Sequence, residues 1–359
     1  MSTNNRIPIR VINAVAPIRV CDIGGWTDTW FAGHGKVFNI GVYPYVEVQI
    51  EVYPRKRLLE RVILHAENYG DRYALFPRQE PHEWIQHPLL EAAIDYVGVP
   101  DDLSVHIFIY SEVPAGCSTG TSAAVSVALI GALDQLSPGR MTPIEVAYAA
   151  HRIETDKLGL QSGIQDQLCA AFGGINYIEM FNYPHAAVSP IMVSNPVWWE
   201  LERCLCLIFL GKSHTSSDVH KMVIRDLENA GPDSPKLEAL RRTPVLSRDA
   251  IYSGDFAALG QAMIANTEAQ RDLHPKLVSA EAEQVIAVAK AHGALGWKVN
   301  GAGGDGGSLT VLRGPSMSEK RAMIRAIEES NPLFKNIPIY LSRMGLRVWS
   351  SEVGKVKGG

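Results

Sequence analysis

The sequence predicts an α+β protein made of two domains, and three observations support that class. The chain has 359 residues, which is more than one hydrophobic core commonly serves. Strand-like and helix-like segments occur in both halves of the chain. The segment 183–196 carries three prolines and is typical of a connection between domains. We therefore expect domains at 1–190 and 191–359, with a cleft between them.

In the first half, the clearest strand pattern lies at 46–52, where apolar and polar residues alternate strictly. That alternation predicts a strand with one solvent-facing side. Residues 104–110 form a second strand candidate, and the nearly all-apolar stretch 122–136 predicts a buried helix. A capping box at Thr142 and Glu145 predicts the start of another helix.

The second half restarts with an apolar segment at 205–210, which predicts a buried strand. The elements after it are predicted from the same periodicities: helices at 217–229, 254–270, 279–292 and 317–330, and strands at 308–312, 337–342 and 345–350.

Composition excludes several classes of function. The formal net charge is −4 and no basic stripe is visible, so a nucleic-acid partner is not expected. The five cysteines are odd in number and lack metal-site spacing, which favours a reducing cytosol. The polar start of the chain and the short apolar stretches predict a cytoplasmic protein without a membrane partner.

Three islands rich in glycine and small residues lie far apart in the chain, at 21–30, 113–124 and 298–308. Glycine lacks Cβ and tolerates positive φ, so such islands let backbone come close to a ligand. Three of them, two bordered by hydroxyl or acidic side chains, suggest one binding site for a charged ligand.

The middle island follows the predicted strand 104–110 and opens the predicted helix. Amides around Gly116 to Ser122 can therefore point at phosphate oxygens. No lysine follows Gly120, so the island is not a P-loop of the G-x-x-x-x-G-K-[ST] kind. A tight strand-to-helix turn with Ser or Thr caps is the alternative.

The third island contains a G-x-G-x-x-G match at Gly301, Gly303 and Gly306. It lacks the downstream helix and ribose-binding carboxylate of a dinucleotide site, so that interpretation is not favoured. Close approach to a phosphate or to the other islands, and a plain glycine turn, both stay open.

The first island places Asp28 between two threonines and beside Trp26. A carboxylate can accept hydrogen bonds from sugar hydroxyls while an aromatic ring covers an apolar sugar face. An Asx-turn with a packed tryptophan is the alternative.

In order and character, the three islands resemble the signatures of the GHMP kinase superfamily. Residues 16–28 resemble its first motif, 114–124 its phosphate-binding motif, and 298–307 its third motif. The sequence GGWTDT and the stretch 151–176 are similar to the sugar-kinase branch, which contains L-fucokinase and D-glycero-D-manno-heptose 7-phosphate kinases.

The resemblance implies an N-terminal domain like ribosomal protein S5 domain 2 and a ferredoxin-like C-terminal domain. It implies an ATP- and Mg²⁺-dependent kinase that phosphorylates the anomeric hydroxyl of a sugar or sugar phosphate. The product would be a sugar 1-phosphate for nucleotide-sugar synthesis. The expected partners are the small-molecule substrate and, since symmetric dimers are common, a second copy of the chain.

The resemblance also implies roles for individual residues. Asp166 would accept or orient the hydroxyl proton, Arg19 would stabilise charge on the transferring phosphoryl group, and Ser122 and Glu154 would hold Mg²⁺. The implied ATP-binding residues are Pro114, Gly116, Cys117, Ser118, Thr119, Gly120, Thr121 and Ser122. The implied substrate-binding residues are Trp26, Thr27, Asp28, Gly173, Gly174, Lys212, Gly301 and Gly303, with Ser213 and His214 as further candidates.

This sequence departs from the family pattern G-x-G-L-G-S-S at Ser118, Thr119 and Thr121, and Asp305 interrupts the third island. These side chains would narrow the path of the phosphates, so a non-catalytic sensor of sugar or nucleotide stays an alternative.

The charge of the substrate is also open. A heptose 7-phosphate would need a basic site for its distal phosphate, for which His34, Lys36, Lys212 and His214 are candidates. A neutral sugar such as fucose would not need one.

Overall fold

The computed structural model describes residues 7–75, 84–138, 140–213 and 218–353. The strands are β1 Arg10–Ile23, β2 Gly35–Pro54, β3 Val62–Ala66, β4 Asp71–Leu75, β5 Leu103–Ser111, β6 Ile175–Asn182, β7 His185–Pro190, β8 Leu205–Phe209, β9 Ala294–Val299, β10 Ser308–Arg313, β11 Lys335–Ile337, β12 Tyr340–Leu341 and β13 Arg347–Glu352. The helices are α1 Pro88–Val97, α2 Thr121–Asp134, α3 Pro143–Arg152, α4 Gln165–Phe172, α5 Asn195–Cys204, α6 Asp218–Ala230, α7 Pro235–Ser253, α8 Phe256–Leu273, α9 Ala280–Ala291 and α10 Met317–Ser330.

Within those ranges, nine strands form the first sheet. The strand order is β13-β1-β2-β5-β3-β4, and β6, β12 and β5 pair in turn along the long strand β2. The predicted strand 46–52 lies within β2, where burial alternates with each residue, and the predicted strand 104–110 lies within β5. Both predictions are confirmed.

Helices α2, α3 and α4 pack with the first sheet around the largest hydrophobic core. Helix α2 is buried over most of its length, as its apolar sequence predicts. Helix α3 begins with the predicted capping box, in which the Glu145 carboxylate accepts from the backbone N–H of Thr142 at 2.7 Å. A π-helical turn, Ile153–Lys157, continues α3.

The second sheet has the order β11-β8-β10-β9 and is antiparallel throughout. Helices α9 and α10 cover it with a separate core. Of its elements, β8, β10, α9 and α10 lie at the predicted positions, whereas β9 was not predicted. Helix α7 was also missing from the predicted elements. A third cluster packs α6, α7 and α8 against Phe31 and Ala32, and so places these helices behind the first glycine island.

Two expectations about the connections were wrong. The segment 183–196 is not a plain connection: β7 pairs with β6 as an edge strand, and α5 begins at Asn195. Pro190 ends β7, an edge strand that tolerates proline, and Pro196 lies in the first turn of α5, where proline is also accepted. The predicted strand 337–342 is two short strands in different sheets, β11 and β12.

The last strands return to the first sheet, where β12 pairs with β2 and β13 pairs with β1. A division near residue 190 therefore separates the strands of the two sheets except for this returning segment, and it stays a proposal as a domain boundary. In the described part of the chain, no helix combines the length and apolar character needed to cross a membrane. All five cysteines are buried and none forms a disulfide.

Candidate active site

A cavity of about 620 Å³ opens at the middle glycine island, and we call it the larger cavity. Residues 115–122 line one side of it, at the N-terminus of α2. The other side is largely apolar and includes Leu89, Leu90, Ile109 and Val125. A helix N-terminus attracts anions, whereas apolar side chains suit a flat organic group, so the two ends of the cavity differ in chemistry.

The middle island turns through three residues with left-handed backbone, Gly116, Ser118 and Gly120, with φ values of 71°, 59° and 68°. Its carbonyl groups are used elsewhere: the Cys117 oxygen accepts from the Ser308 hydroxyl at 2.6 Å, and the Thr119 oxygen accepts from the Arg19 N–H at 2.9 Å. With these carbonyls turned away, the amide end of α2 faces the cavity.

A second cavity of about 290 Å³ adjoins the first, and we call it the smaller cavity. Two aromatic residues of the first island and the phenylalanine that follows it line this cavity. Residues before and at the start of α4, and residues of α6, complete it. The lining residues include Trp26, Trp30, Phe31, Asp22, Asp28, Gln161, Ser162, Gly163, Gln165, His220 and Ile224. This mixture of rings, carboxylates and amides suits a ligand with many hydroxyl groups.

Arg19 and Asp166 line both cavities, together with Gly301 and Ala302. The Arg19 guanidinium holds the Asp166 carboxylate through two bonds, Nε to Oδ1 at 2.9 Å and Nη2 to Oδ2 at 3.1 Å. The Asp166 side chain is 27 % exposed, whereas that of Arg19 is 5 % exposed. A clamped but accessible carboxylate therefore lies at the boundary of the cavities.

The third island contacts the other two, so the three islands converge as the sequence suggested. The backbone N–H of Gly301 donates to Oδ2 of Asp22 at 2.8 Å. A Cβ on Gly301 would lie 3.0 Å from Cβ of Ser118, so glycine permits this close approach. The Trp26 indole N–H donates to the Ala302 carbonyl at 3.3 Å and thereby joins the first island to the third.

Asp28 lies deep in the smaller cavity and is 4 % exposed. Its Oδ2 accepts from the backbone N–H of Gln165 at 3.0 Å. Burial raises the pKa of Asp28 to about 6, and the negative charge of Asp166 acts in the same direction. Because burial leaves the Asp28 carboxylate with few hydrogen-bond donors, it is well placed to accept hydrogen bonds from sugar hydroxyls.

Glu154 fits a role in metal binding. It is 8 % exposed, and its Oε1 has no hydrogen-bond partner among the described residues. Burial raises the pKa of Glu154 to about 7, with the charge of Asp166 adding to the effect. A divalent cation would compensate this buried oxygen. The Ser122 residue lines the larger cavity, whereas Glu154 lines neither cavity. In the described ranges, no group of three or more His, Cys, Asp or Glu side chains forms a metal site.

Several predicted substrate residues line neither cavity. Thr27 is fully buried, and its hydroxyl donates to the Gly24 carbonyl at 2.7 Å, so it holds the first island together. Lys212 pairs with Glu281 at 2.7 Å on the surface. His214 lies outside the described residues.

Three glycines serve packing instead. A Cβ on Gly173 would come within 2.2 Å of the Met344 backbone, and one on Gly303 within 2.3 Å of the Leu277 carbonyl. Gly174 donates its backbone N–H to the Ser342 carbonyl at 2.7 Å. Gly173 and Gly303 therefore permit close chain crossings, and Gly174 takes part in a backbone hydrogen bond. Pro114 precedes the loop residues and does not line the larger cavity.

Sequence reasoning missed several lining residues. Asp22 and Trp30 stand at the edges of the first island, and Gln165 precedes Asp166, so nearness to a motif was a usable signal for them. His220 stacks on Trp26 with ring centroids 6.0 Å apart and bonds the Gly303 carbonyl at 2.9 Å. The position of His220 in the smaller cavity becomes apparent only from the packing of α6.

A glycine loop at a helix N-terminus, beside a clamped carboxylate that faces a second polar cavity, is typical of enzymes that transfer phosphoryl groups. Residues 88–174 match the family of GHMP kinases N terminal domains. The chain is 30% identical over 251 residues to the mevalonate kinase of Thermococcus onnurineus, covering 68% of this chain and 69% of that protein. The chain belongs to the GHMP kinase family.

Two further similarities agree with that assignment. The D-glycero-alpha-D-manno-heptose 7-phosphate kinase of Campylobacter jejuni is 26% identical over 258 residues, 71% of this chain and 73% of that one. The structure of Lactococcus lactis galactokinase complexed with galactose aligns with a TM-score of 0.73 at 17% identity, covering 96% of this chain and 95% of that one. The predicted family, the two-domain fold and the cofactors ATP and Mg²⁺ are confirmed, and the sugar kinases among the relatives support a sugar kinase.

Proposed function

We propose that this protein transfers the terminal phosphoryl group of ATP to the anomeric hydroxyl of a sugar, giving a sugar 1-phosphate. The observation that carries the proposal is the position of Asp166, which lines both cavities. ATP would occupy the larger cavity with its phosphates at the N-terminus of α2. The sugar would occupy the smaller cavity.

In this mechanism, Asp166 accepts or orients the proton of the attacking hydroxyl. The two bonds from Arg19 fix the direction of its carboxylate. The permanent charge of Arg19 at the boundary of the cavities also stabilises negative charge that develops there. Ser122 and Glu154 would hold Mg²⁺, which when bound offsets the charge of the phosphate oxygens.

The described residues favour an uncharged sugar over a heptose 7-phosphate. Three carboxylates line the smaller cavity, and no lysine among the described residues does so. Arg19 also lines it, but its guanidinium is bonded to Asp166. Lys36 lies 4.0 Å from Glu179, and Lys212 pairs with Glu281, so both nominated lysines have acidic partners. His34 is exposed and lines neither cavity. The rings of Trp26 and Trp30 would cover the apolar face of the sugar.

A non-catalytic sensor finds less support. The Arg19–Asp166 pair orders a carboxylate between the two cavities, and a protein that only binds its ligands needs no ordered carboxylate there. The left-handed backbone of Ser118 shows that the altered loop still takes a tight turn. A role in nucleotide-sugar synthesis, a homodimer and a cytoplasmic location stay predictions.

The test is a kinase assay with ATP and Mg²⁺ over matched free and phosphorylated sugars, followed by ³¹P and ¹H NMR of the product. We expect ADP release with a free sugar and a phosphorus signal coupled to the anomeric proton. Activity only with phosphorylated sugars would overturn the uncharged substrate, and phosphorylation of another hydroxyl would overturn the anomeric assignment. Tight sugar binding without any ADP release would favour the sensor.

A further inference from the structure

Four charged side chains of alternating sign run from the second sheet to the boundary of the cavities. Lys298 Nζ lies 3.5 Å from Oδ1 of Asp22, and the same oxygen lies 3.7 Å from Nη1 of Arg19. Arg19 in turn clamps Asp166. Asp22 and Arg19 belong to β1, Lys298 belongs to β9, and Asp166 lies at the start of α4, so the row joins both sheets.

The inner members of this row are almost completely removed from water. Lys298 and Asp22 are each 1 % exposed, and Arg19 is 4 % exposed. Oδ1 of Asp22 has no hydrogen-bond partner among the described residues, and two cations flank it. Burial lowers the pKa of Lys298, and the negative charge of Asp22 opposes that shift. Buried charges persist only where partners compensate them, so each member depends on its neighbours.

The balance of charge determines what Arg19 can do. Two carboxylates, Asp22 and Asp166, compete for one guanidinium. While Lys298 neutralises Asp22, Arg19 is available to direct Nε and Nη2 at Asp166. Without Lys298, the uncompensated charge of Asp22 would draw Arg19 away from Asp166, because a lone buried carboxylate attracts the nearest cation strongly.

We propose that Lys298 and Asp22 are positioning residues that fix the Asp166 carboxylate through Arg19. The proposal rests on the role proposed above for Asp166. It gives the third island a function beyond close packing: Lys298 is the first residue of that island, and the Gly301 N–H donates to the other oxygen of Asp22. A shift of the third island against the first would therefore reach Asp166 through two buried ion pairs.

The test compares Lys298→Met, Asp22→Asn and the double variant by steady-state kinetics with ATP and a sugar substrate. We expect Lys298→Met to lower kcat about 10- to 100-fold while both KM values change less than about threefold, because misdirecting a proton acceptor affects the chemical step more than binding. The double variant should recover at least about tenfold of the lost kcat, because removing both charges ends the competition for Arg19.

Lys320→Met is the matched control. Lys320 is a partly buried lysine of α10 whose Nζ donates to the backbone carbonyls of Arg203 and Leu205, away from both cavities. The Lys320→Met variant should have the kcat of the wild type, even if its unfolding temperature is lower. Should Lys298→Met fail to fold, the double variant keeps the test possible, since neutral replacement of a whole buried pair is often tolerated.

The proposal is overturned if Lys298→Met keeps wild-type kcat, if it raises KM instead, or if the double variant is slower than either single variant. Failure of the proposed function looks different. In that case Asp166→Asn itself keeps wild-type turnover, whatever the Lys298 variants do.

Discussion

The two cavities are built in opposite ways. Backbone from one continuous loop forms the anion-binding side of the larger cavity, where the N-terminus of α2 supplies positive potential. Side chains from separate segments form the smaller cavity, and its charged groups are mainly carboxylates. A site made of backbone amides suits a phosphate chain, whose shape is always the same. A site made of side chains can be adapted to different substrates by substitution.

The two cavities also hold their ligand-facing groups differently. Ser118 in the larger cavity and Trp26 in the smaller one both have left-handed backbone, with φ values of 59° and 78°. Ser118 takes it between Gly116 and Gly120, which also have left-handed backbone. Trp26 takes it with its ring fixed by the Ala302 carbonyl and by His220. The strained backbone of Ser118 allows the loop to turn tightly, whereas the strained backbone of Trp26 directs its ring into the smaller cavity.

The largest expected effect comes from the residue that the cavities share. Asp166→Asn should lower kcat by about 10²- to 10⁴-fold, the usual loss when a group active in proton transfer is removed. The KM values for ATP and sugar should change little, because neither ligand depends on Asp166 for most of its contacts. Steady-state ADP release measures both constants. Wild-type kcat in a folded variant would remove Asp166 from the mechanism.

The next effect is confined to the smaller cavity. Asp28→Asn should raise the KM for sugar about 10- to 100-fold, since a hydrogen bond to a charged group contributes about 1.5–3 kcal/mol. The KM for ATP should stay unchanged because Asp28 does not line the larger cavity. Equal changes in both KM values would contradict the separate use of the cavities.

Asp28→Asn should also change how the stability of the protein depends on pH. Burial raises the pKa of Asp28 to about 6 from an ordinary 3.8, so the folded state binds the proton more tightly than the unfolded state. The contribution of Asp28 to stability is therefore full below about pH 4 and is lost as the pH rises to about 6. Urea unfolding at pH 4 and pH 7 should show Asp28→Asn gaining about 1–3 kcal/mol relative to wild type between these two values. An unchanged difference between the proteins at the two values would contradict the raised pKa.

A smaller effect tests how closely the loop approaches Asp166. A Cβ on Gly120 would lie 3.1 Å from Asp166 Oδ2, and its φ is +68°. Gly120→Ala should lower both kcat and the free energy of unfolding, the latter by about 1–2 kcal/mol. Gly231→Ala is the control, since Gly231 has φ +78° with nothing within 4 Å of its Cβ position. It should lose similar stability and no activity. A loss of kcat in both variants would point to backbone strain instead of contact with Asp166.

The smallest effect is expected at Ser118. Ser118→Gly removes left-handed strain, so the free energy of unfolding should rise by up to about 1 kcal/mol after the entropy penalty of glycine. The KM for ATP should change less than about threefold, which corresponds to under 1 kcal/mol. Thermal unfolding and ATP titration measure the two quantities. A large rise in KM would show that the Ser118 hydroxyl binds the nucleotide.

The regular elements that were predicted have local signals. The alternation at 46–52 and the capping box at Thr142 each define an element within a few residues. Helix α7 was missed because Pro244 interrupts a weakly periodic sequence, whereas packing against α8, β1 and β2 supports a helix there. The return of β13 to pair with β1 joins residues more than 300 positions apart, and no local pattern carries that information.

The residues of the candidate site were likewise predictable only where the signal is local in the sequence. The loop lining the larger cavity was predicted because its residues are consecutive. Of the residues expected to bind the sugar, Trp26, Asp28 and Gly301 line the smaller cavity, whereas Thr27 and Gly303 do not. Glycine is used both for ligand approach and for chain crossing, and sequence alone does not separate these uses.

The account depends most on ATP and sugar meeting at Asp166. A crystal structure of the protein with Mg²⁺, a non-hydrolysable ATP analogue and a sugar substrate tests this most directly. The account predicts the terminal phosphate at the N-terminus of α2, the sugar ring beside Trp26, and the anomeric hydroxyl within hydrogen-bonding distance of Asp166. Ligands bound on opposite sides of the molecule, or an anomeric hydroxyl directed away from Asp166, would contradict it.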